Sequence, residues 1–376
     1  MKVLLISRGI PSKKDPMWGN FELDQAKAIL GQGHEVISMS VDRRIRLYWR
    51  PIGITSTTID GVKMYNYFFP LPYRVLPRFI HNYFVNRFAK KLYQHIEKVE
   101  GKVDVIHGHY LPNIRIGTYL KSLFNIPVVG TEHWSELKRK RIKSSVYADA
   151  KEAYPAVDRL ITVSAPLERI VKREFNVESE FVGCVIDSVF SYVPGKKDEI
   201  FRFIAVGSLF KIKGFDTAIK AFAKAKLPAN VHFHIIGNGG MKGTLQQLIQ
   251  SLGVENQVFL EGRKTRAEIM DFMAKSSVYV LSSLSENFAT ACMEALSAGV
   301  PAIMTKCGGP EDFVDDTNAV MVEVGNVEEM AKAMNYMYQN IDQYNQEEIS
   351  RNIKEKYSPE AIGGQLSKIY KEIKKI

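Results

Sequence analysis

The sequence predicts an α/β protein built from two Rossmann-like, doubly wound domains whose sheets face a common cleft. Short β-branched or apolar runs alternate with helical patterns through both halves, the mark of parallel strands joined by helical crossovers. A Pro/Gly and charge-rich stretch, 192–198, separates the two sets of runs. At 376 residues with 45% hydrophobic side chains, the chain exceeds the length at which one core usually splits.

In the first half the strand candidates are 3–7, 35–41, 103–107, 127–131 and 160–164, and in the second 203–207, 231–237, 258–261, 278–281, 302–305 and 320–322. Residues 340–351 read as a polar connection before a final helix, 359–376. The expected domains are 1–190 and 191–358, with the final helix crossing back to the first. Ligands of such sheets bind beyond the carboxyl ends of strands. The loops that matter therefore carry Trp18-Gly19-Asn20-Phe21, His107-Gly108-His109, Glu132-His133-Trp134, the run from Ser208 to Gly214 and the run from Ser282 to Phe288.

Several function classes are disfavoured. The amino terminus lacks the shape of a secretory signal, and no apolar stretch is long enough to span a bilayer, so a cytoplasmic protein is expected. Cys184, Cys292 and Cys307 are odd in number, lack metal-ligand spacing and fit reduced thiols. His107 and His109 are read as alternating across a strand without a third ligand at sensible spacing, so no metal is expected. Gly237-Asn238-Gly239-Gly240-Met241-Lys242 places Lys242 where a dinucleotide fingerprint needs its third glycine, which disfavours a dehydrogenase.

The net charge of +10 is unevenly placed. Residues 1–190 carry 29 Lys and Arg against 19 Asp and Glu, and residues 191–376 carry 22 of each. The first half therefore meets something anionic. Residues 78–99 form an amphipathic helix with Ile80, Phe84, Phe88, Leu92 and Ile96 on one face and Arg78, Arg87, Lys90, Lys91 and Lys98 elsewhere. It either packs on its sheet or contacts a membrane surface or lipid diphosphate, together with exposed-looking aromatics at 68–73 and the basic run 138–143. No nucleic-acid module accompanies the charge, so nucleic acid is not an expected partner.

Between Asn287 and Thr305 the only formal charge is Glu294, set among Cys292, Met293, Ala295 and Leu296. A carboxylate in such company needs a distant cation or a ligand that supplies hydroxyl donors. Eight residues at about 100° each would leave Glu286 and Glu294 roughly 80° apart on one helix, so Glu286 is better placed on the loop. The helix then begins near Ala289 and stops at Gly299 and Pro301. Its first turn offers N–H groups and a positive dipole end suited to a diphosphate.

The run from Ser285 to Pro301 resembles the Glu-x7-Glu signature of the retaining glycosyltransferases of family 4, which have the GT-B fold. Val206-Gly207-Ser208-Leu209 with Lys213-Gly214, Ile235-Ile236-Gly237-Asn238-Gly239, Gly308-Gly309-Pro310-Glu311, Gly19-Asn20-Phe21, Gly33-His34-Glu35-Val36, His133 and Val163-Ser164 extend the likeness over nearly the whole chain. The resemblance implies a nucleotide-sugar donor in the second domain and a glycan or lipid-linked acceptor in the first, with no metal or other cofactor. It implies catalytic roles for Lys213, Glu286 and His133. It also implies donor contacts from Gly19, Asn20, Ser208, Arg263, Asn287, Phe288, Ala289, Thr290 and Glu294, and an acceptor contact from His109. The family's arginine is Ser208 here, for which Lys211 or Arg263 would substitute, and its glycines after Glu286 are Asn287 and Ala289. An epimerase of the same architecture and a silent nucleotide-binding subunit are the other readings.

Overall fold

The structure, a computed structural model, describes residues 1–12, 18–45, 50–71, 76–133, 137, 142–195 and 199–374. Trp134, positions 72 and 73, the basic residues 138–141 and the linker residues 196–198 lie outside the described residues. The chain divides into two compact units, Met1–Val185 with Pro359–Ile376, and Ile186–Ser358.

Unit 1 contains β1 (Lys2–Ile6), α1 (Asn20–Gly31), β2 (Glu35–Asp42), β3 (Gly53–Ile59), β4 (Val62–Phe68), α2 (Arg78–Glu100), β5 (Val105–His109), α3 (Leu111–Phe124), β6 (Val128–Glu132), α4 (Ser144–Ala153), β7 (Arg159–Thr162), α5 (Ala165–Phe175) and β8 (Glu180–Phe181). Its sheet runs β3-β4-β2-β1-β5-β6-β7-β8 and is parallel except at β3. The strand order reverses between β1 and β5. α2 and α3 bury Val85, Ala89, Leu92, Tyr93, Ile96, Ile116 and Leu120 against one face of this sheet. Burial of the apolar stripe thus accounts for most of α2.

Unit 2 contains β9 (Phe201–Val206), α6 (Phe215–Ala225), β10 (Val231–Ile236), α7 (Lys242–Ser251), β11 (Val258–Gly262), α8 (Arg266–Ala274), β12 (Val278–Leu281), α9 (Thr290–Ser297), β13 (Ala302–Thr305), β14 (Ala319–Val322), α10 (Val327–Asn340) and α11 (Gln346–Tyr357). Its sheet, β11-β10-β9-β12-β13-β14, is wholly parallel and reverses between β9 and β12. The chain then enters α12 (Pro359–Lys374), which packs on α1 of unit 1. His34 Nε2 lies 2.7 Å from Ser367 Oγ, and His107 Nδ1 lies 2.6 Å from Tyr370 Oη.

Four local expectations need correction. Residues 53–68 form a hairpin, β3 and β4, turned at Asp60-Gly61; its edge strand is polar, so no buried run marked it. Phe68 and Leu71 are buried rather than exposed, because β4 carries Phe68 into the core. Residues 346–351 are helical: Asn345 caps α11, whose Ile349, Ile353 and Tyr357 recur at four-residue spacing and are buried. His107 and His109 lie on β5 itself, and residues two apart on a strand share a face. Their rings accordingly stack at 4.5 Å.

Candidate functional site

In unit 2 the charged loops gather at the β9/β12 switch point. After β9, Leu209 N donates to Asn238 O at 3.0 Å and Met241 N to Leu209 O at 2.9 Å, tying this loop to the one after β10. A 3-10 turn, Lys211–Lys213, then leads through Gly214 into α6. Gly214 has φ +61°, and a Cβ there would stand 2.0 Å from Ser282 O, so this junction accepts only glycine. Ser282 Oγ donates to Lys213 O at 2.8 Å, fixing the lysine backbone to the end of β12.

Lys213 Nζ then reaches Glu286 Oε1 at 2.6 Å, and Ser283 Oγ donates to the same oxygen at 2.6 Å. The Glu286 side chain is 13% exposed, so the pair is partly withdrawn from solvent. Glu286 sits in the loop, its N–H donating to Cys307 O at 3.2 Å. Ala289 adopts a left-handed conformation (φ 54°, ψ 52°), and α9 starts at Thr290 with neither a side-chain cap nor an acidic residue in its first turn. First-turn N–H groups of a helix have no partner within the helix, and the dipole adds positive charge there. An ammonium, a carboxylate and an open helix start therefore share one corner.

Glu294 is half-buried on α9, while Cys292, Met293, Ala295 and Leu296 around it are fully buried. Tyr279 Oη donates to Val206 O at 3.3 Å. Burial first, and then the charge of Cys292, Glu286 and Glu294, holds that phenol well above its ordinary pKa. Both carboxylates thus act on one buried hydroxyl.

The remaining unit 2 candidates differ in reach. Phe288 is buried against Phe313 and Tyr357, at ring distances of 5.6 and 5.4 Å, so only its backbone is available to a ligand. Ala289 is buried and Asn287 and Thr290 half-buried. Ser208 is exposed. Lys211 pairs with Asp216 at 3.3 Å, and Arg263 is exposed beyond β11, two strands from β9.

In unit 1 a second cluster forms at the β1/β5 switch point. Arg8, just after β1, pairs with Glu22 of α1: Nε donates to Oε1 at 2.8 Å and Nη2 to Oε2 at 3.3 Å. Gly19 permits this entry to α1, since it has φ +84° and a Cβ would stand 2.2 Å from Gly9 O; Asn20, half-buried, is the first helical residue. The Arg8 guanidinium lies 4.2 Å from the Tyr110 ring centroid, and that ring stacks on His133 at 4.7 Å.

Beneath it, His133 Nε2 lies 3.1 Å from His109 Nδ1, and His107 Nε2 lies 2.6 Å from Thr131 Oγ1. His109 is buried, and its ring stacks on that of His133 at 5.4 Å. All three imidazoles are held neutral. Burial lowers each pKa, and for His133 burial followed by the Arg8 and His107 charges brings it to about 3. Among the described residues no group of His, Cys, Asp and Glu has metal-site geometry.

Arg8, Glu22, Tyr110 and Ser283 were not expected from the sequence. Arg8 was signalled only by a charge directly after a buried strand, and Ser283 by its three-residue spacing to Glu286.

The profile of the "Glycosyl transferases group 1" family matches residues 190–356, and that of "Glycosyltransferase Family 4" matches residues 22–187. The chain belongs to the group 1, family 4 glycosyltransferases. An uncharacterized glycosyltransferase of Methanocaldococcus jannaschii is 25% identical to it over 92% of each chain. A lipopolysaccharide core biosynthesis glycosyltransferase of Rhizobium meliloti is 30% identical over 43% of this chain and 47% of its own. Among solved structures, sucrose-phosphate synthase of Thermosynechococcus elongatus superposes with a TM-score of 0.79 at 16% identity, covering 99% of this glycosyltransferase and 98% of the synthase. HepE of Anabaena, in complex with UDP, superposes with a TM-score of 0.74 at 16% identity over 99% of each chain. The fold of the glycosyltransferase is GT-B, two Rossmann-like α/β domains.

Proposed function

We propose that this glycosyltransferase moves a sugar from a nucleotide-diphosphate donor to a glycan or lipid-linked glycan, with retention at the anomeric carbon, during assembly of a cell-surface polysaccharide. The observation that carries the reading is the contact of Lys213 and Glu286 beside the open start of α9. The diphosphate lies on the first-turn N–H groups of α9, with the backbone of Asn287, Phe288 and Ala289 lining the approach. Lys213 neutralises charge that grows on the leaving phosphate as the glycosidic bond breaks. Glu286 accepts hydrogen bonds from the departing sugar, and Glu294 accepts from the ribose hydroxyls.

In this reading His133 touches the sugar as a neutral ring, because its pKa of about 3 keeps it from becoming an imidazolium near pH 7. The departing phosphate oxygen takes the acceptor proton on the same face, so no protein base is needed. Lys213 and the helix dipole supply the positive charge at the diphosphate, and the reaction as proposed requires no metal or other cofactor. Support for the donor class comes from HepE, solved with UDP, and for the pathway class from the lipopolysaccharide core enzyme of Rhizobium meliloti. No described helix is long and apolar enough to cross a membrane. The setting we infer is the cytoplasm, with peripheral contact to the membrane's inner face through the start of α2, and without a nucleic-acid partner.

Titrating uridine and guanosine diphosphates and their sugars against the melting temperature tests the reading. One of them stabilises by about 2.7 kcal/mol at a hundred times its Kd. Failure of every nucleoside diphosphate to stabilise the protein would overturn it.

A further inference from the structure

β5 passes into α3 through a single residue, Tyr110, whose backbone is unusual: φ is +66° and ψ is 146°. Asn125, Asn176, Lys226 and Ala289 also have positive φ, but with ψ between 38° and 52° they occupy the left-handed helical well. Tyr110 instead falls beside a region that glycine alone ordinarily enters, where a bulky side chain is strained. At two other helix starts with positive φ the chain places glycine, Gly19 before α1 and Gly214 before α6.

The short connection accounts for the positive φ and leaves the tyrosine unexplained, since glycine would make the same turn without strain. Neighbouring backbone holds the residue in place: Tyr110 N donates to Thr131 O at 2.9 Å, and its carbonyl accepts from Asn113 N at 2.9 Å and Ile114 N at 3.0 Å. What the side chain gains is a set of ring contacts. It lies 4.7 Å from the His133 ring with 29° between the planes, and the Arg8 guanidinium lies 4.2 Å from its centroid. Arg8 is itself fixed to Glu22 by its backbone N–H at 3.1 Å as well as by its guanidinium, and Glu22 is buried. Stacked rings and a cation over an aromatic face each favour one geometry. Guanidinium, phenol and imidazole are thus linked in one series of contacts rooted in α1.

We propose that Tyr110 is a positioning residue: its strained backbone aims the phenol ring into contact with both the Arg8 guanidinium and the His133 imidazole, and this contact fixes the orientation and tautomer of His133. That the imidazole then meets the donor sugar rests on the transfer reaction above; the hold on the ring does not. His133 Nε2 lies 3.1 Å from His109 Nδ1 and His133 Nδ1 lies 3.9 Å from Cys184 Sγ, so turning the ring would break both contacts. A ring kept in place shows one tautomer, because the partner of each nitrogen decides which of them carries the proton. The ring of Tyr110 does this, and its hydroxyl is not required.

The test uses the full-length protein and its Tyr110→Phe, Tyr110→Ala and Tyr110→Gly variants. Tyr110→Gly melts a few degrees above Tyr110→Ala, the reverse of the usual order, because only glycine relieves the backbone. An equal or lower melting temperature denies the strain and overturns the proposal. The 15N resonances of the His133 imidazole, assigned by their absence in His133→Gln, report its tautomer. Wild type and Tyr110→Phe show one protonated and one bare nitrogen, whereas in Tyr110→Ala and Tyr110→Gly the two resonances converge as the tautomers interchange. An unchanged pair in both small variants overturns the proposal, and so does convergence in Tyr110→Ala alone, which makes Tyr110 a residue of the fold. Uridine and guanosine diphosphates act on melting temperature equally in wild type and Tyr110→Gly. With the sugar of whichever one stabilises wild type as donor probe, kcat falls about tenfold or more in Tyr110→Ala and Tyr110→Gly at little-changed donor KM and recovers in Tyr110→Phe. Wild-type turnover by Tyr110→Gly, the more stable of the two small variants, overturns the positioning role. If neither nucleoside diphosphate stabilises the protein, the donor reading fails, and the imidazole resonances still decide whether Tyr110 holds His133.

Discussion

The Lys213 ammonium and the Glu286 carboxylate meet at 2.6 Å, so the cation proposed to receive a diphosphate already holds an anion of the protein's own. Incoming phosphate must displace that carboxylate, and the displaced carboxylate is then released to accept hydrogen bonds from the sugar. Glu286→Gln removes the competitor without changing side-chain volume. Nucleoside diphosphate should bind about fivefold tighter, on the order of 1 kcal/mol for a partly exposed pair, while sugar transfer falls. Calorimetric Kd and kcat measured on the same preparation check the opposed signs; looser binding would show that Glu286 is not the competitor.

Lys213→Ala leaves Glu286 without its cation and the leaving group without neutralisation. We expect kcat to fall by about 10²- to 10³-fold, the range seen when one preorganised charge stabiliser is removed. Nucleotide binding should weaken much less. A variant that turns over normally would remove Lys213 from the mechanism.

Glu294→Ala should raise the donor KM about 10- to 100-fold, because charged hydrogen bonds contribute about 1.5–3 kcal/mol. Its half-buried position makes a large loss of stability unexpected, since the fully buried side chains of α9 are its apolar neighbours. A donor lacking the ribose 2′-hydroxyl should discriminate less between variant and wild type; unchanged discrimination would deny the ribose contact.

Ser208→Arg returns the guanidinium that the family carries. Ser208 is exposed and its loop is tied down on both sides, so an arginine fits without disturbing the core. Nucleoside diphosphate affinity should rise about tenfold at low salt and less at high salt, by the screening expected of an exposed charge. Fluorescence titration at two ionic strengths reads this directly.

The pH dependence of stability has a definite sign. His107, His109 and His133 are kept neutral in the folded protein, their pKa values lowered by burial, to about 3 for His133. Unfolded histidine takes up a proton below about pH 6.5. Between these limits the unfolded state binds more protons, so stability falls as pH drops below about 6.5, by up to about 1.4 kcal/mol per pH unit for each histidine. Thermal melts at pH 7.5 and 5 should show this loss, and His109→Gln should reduce it.

Much of the fold was legible because the central strands of both sheets are parallel and covered on both faces. A strand buried on each side reads as an unbroken apolar run, as in Val3-Leu4-Leu5-Ile6 or Val278-Tyr279-Val280-Leu281. The same logic explains the failure at residues 53–59: Thr55, Ser56, Thr57 and Thr58 face solvent on an edge strand and carry no such run. At the candidate site, the loop position of Glu286 and the start of α9 followed from helix geometry and the Gly299 stop. The contact of Lys213 with Glu286 did not follow, since 73 residues separate them and only the β9/β12 adjacency unites their loops. The buried histidine stack was obscured in the same way, because two of its rings share β5 while the third arrives from the end of β6.

α12 returns to unit 1, with Tyr370 against His107 and Ser367 against His34. In topological terms residues 186–358 are an insertion within the other unit. During synthesis unit 2 has its whole sequence available before unit 1 can be completed. A chain ending at residue 358 would thus hold all of unit 2, and a unit 1 whose histidine stack still lacks its last tyrosine.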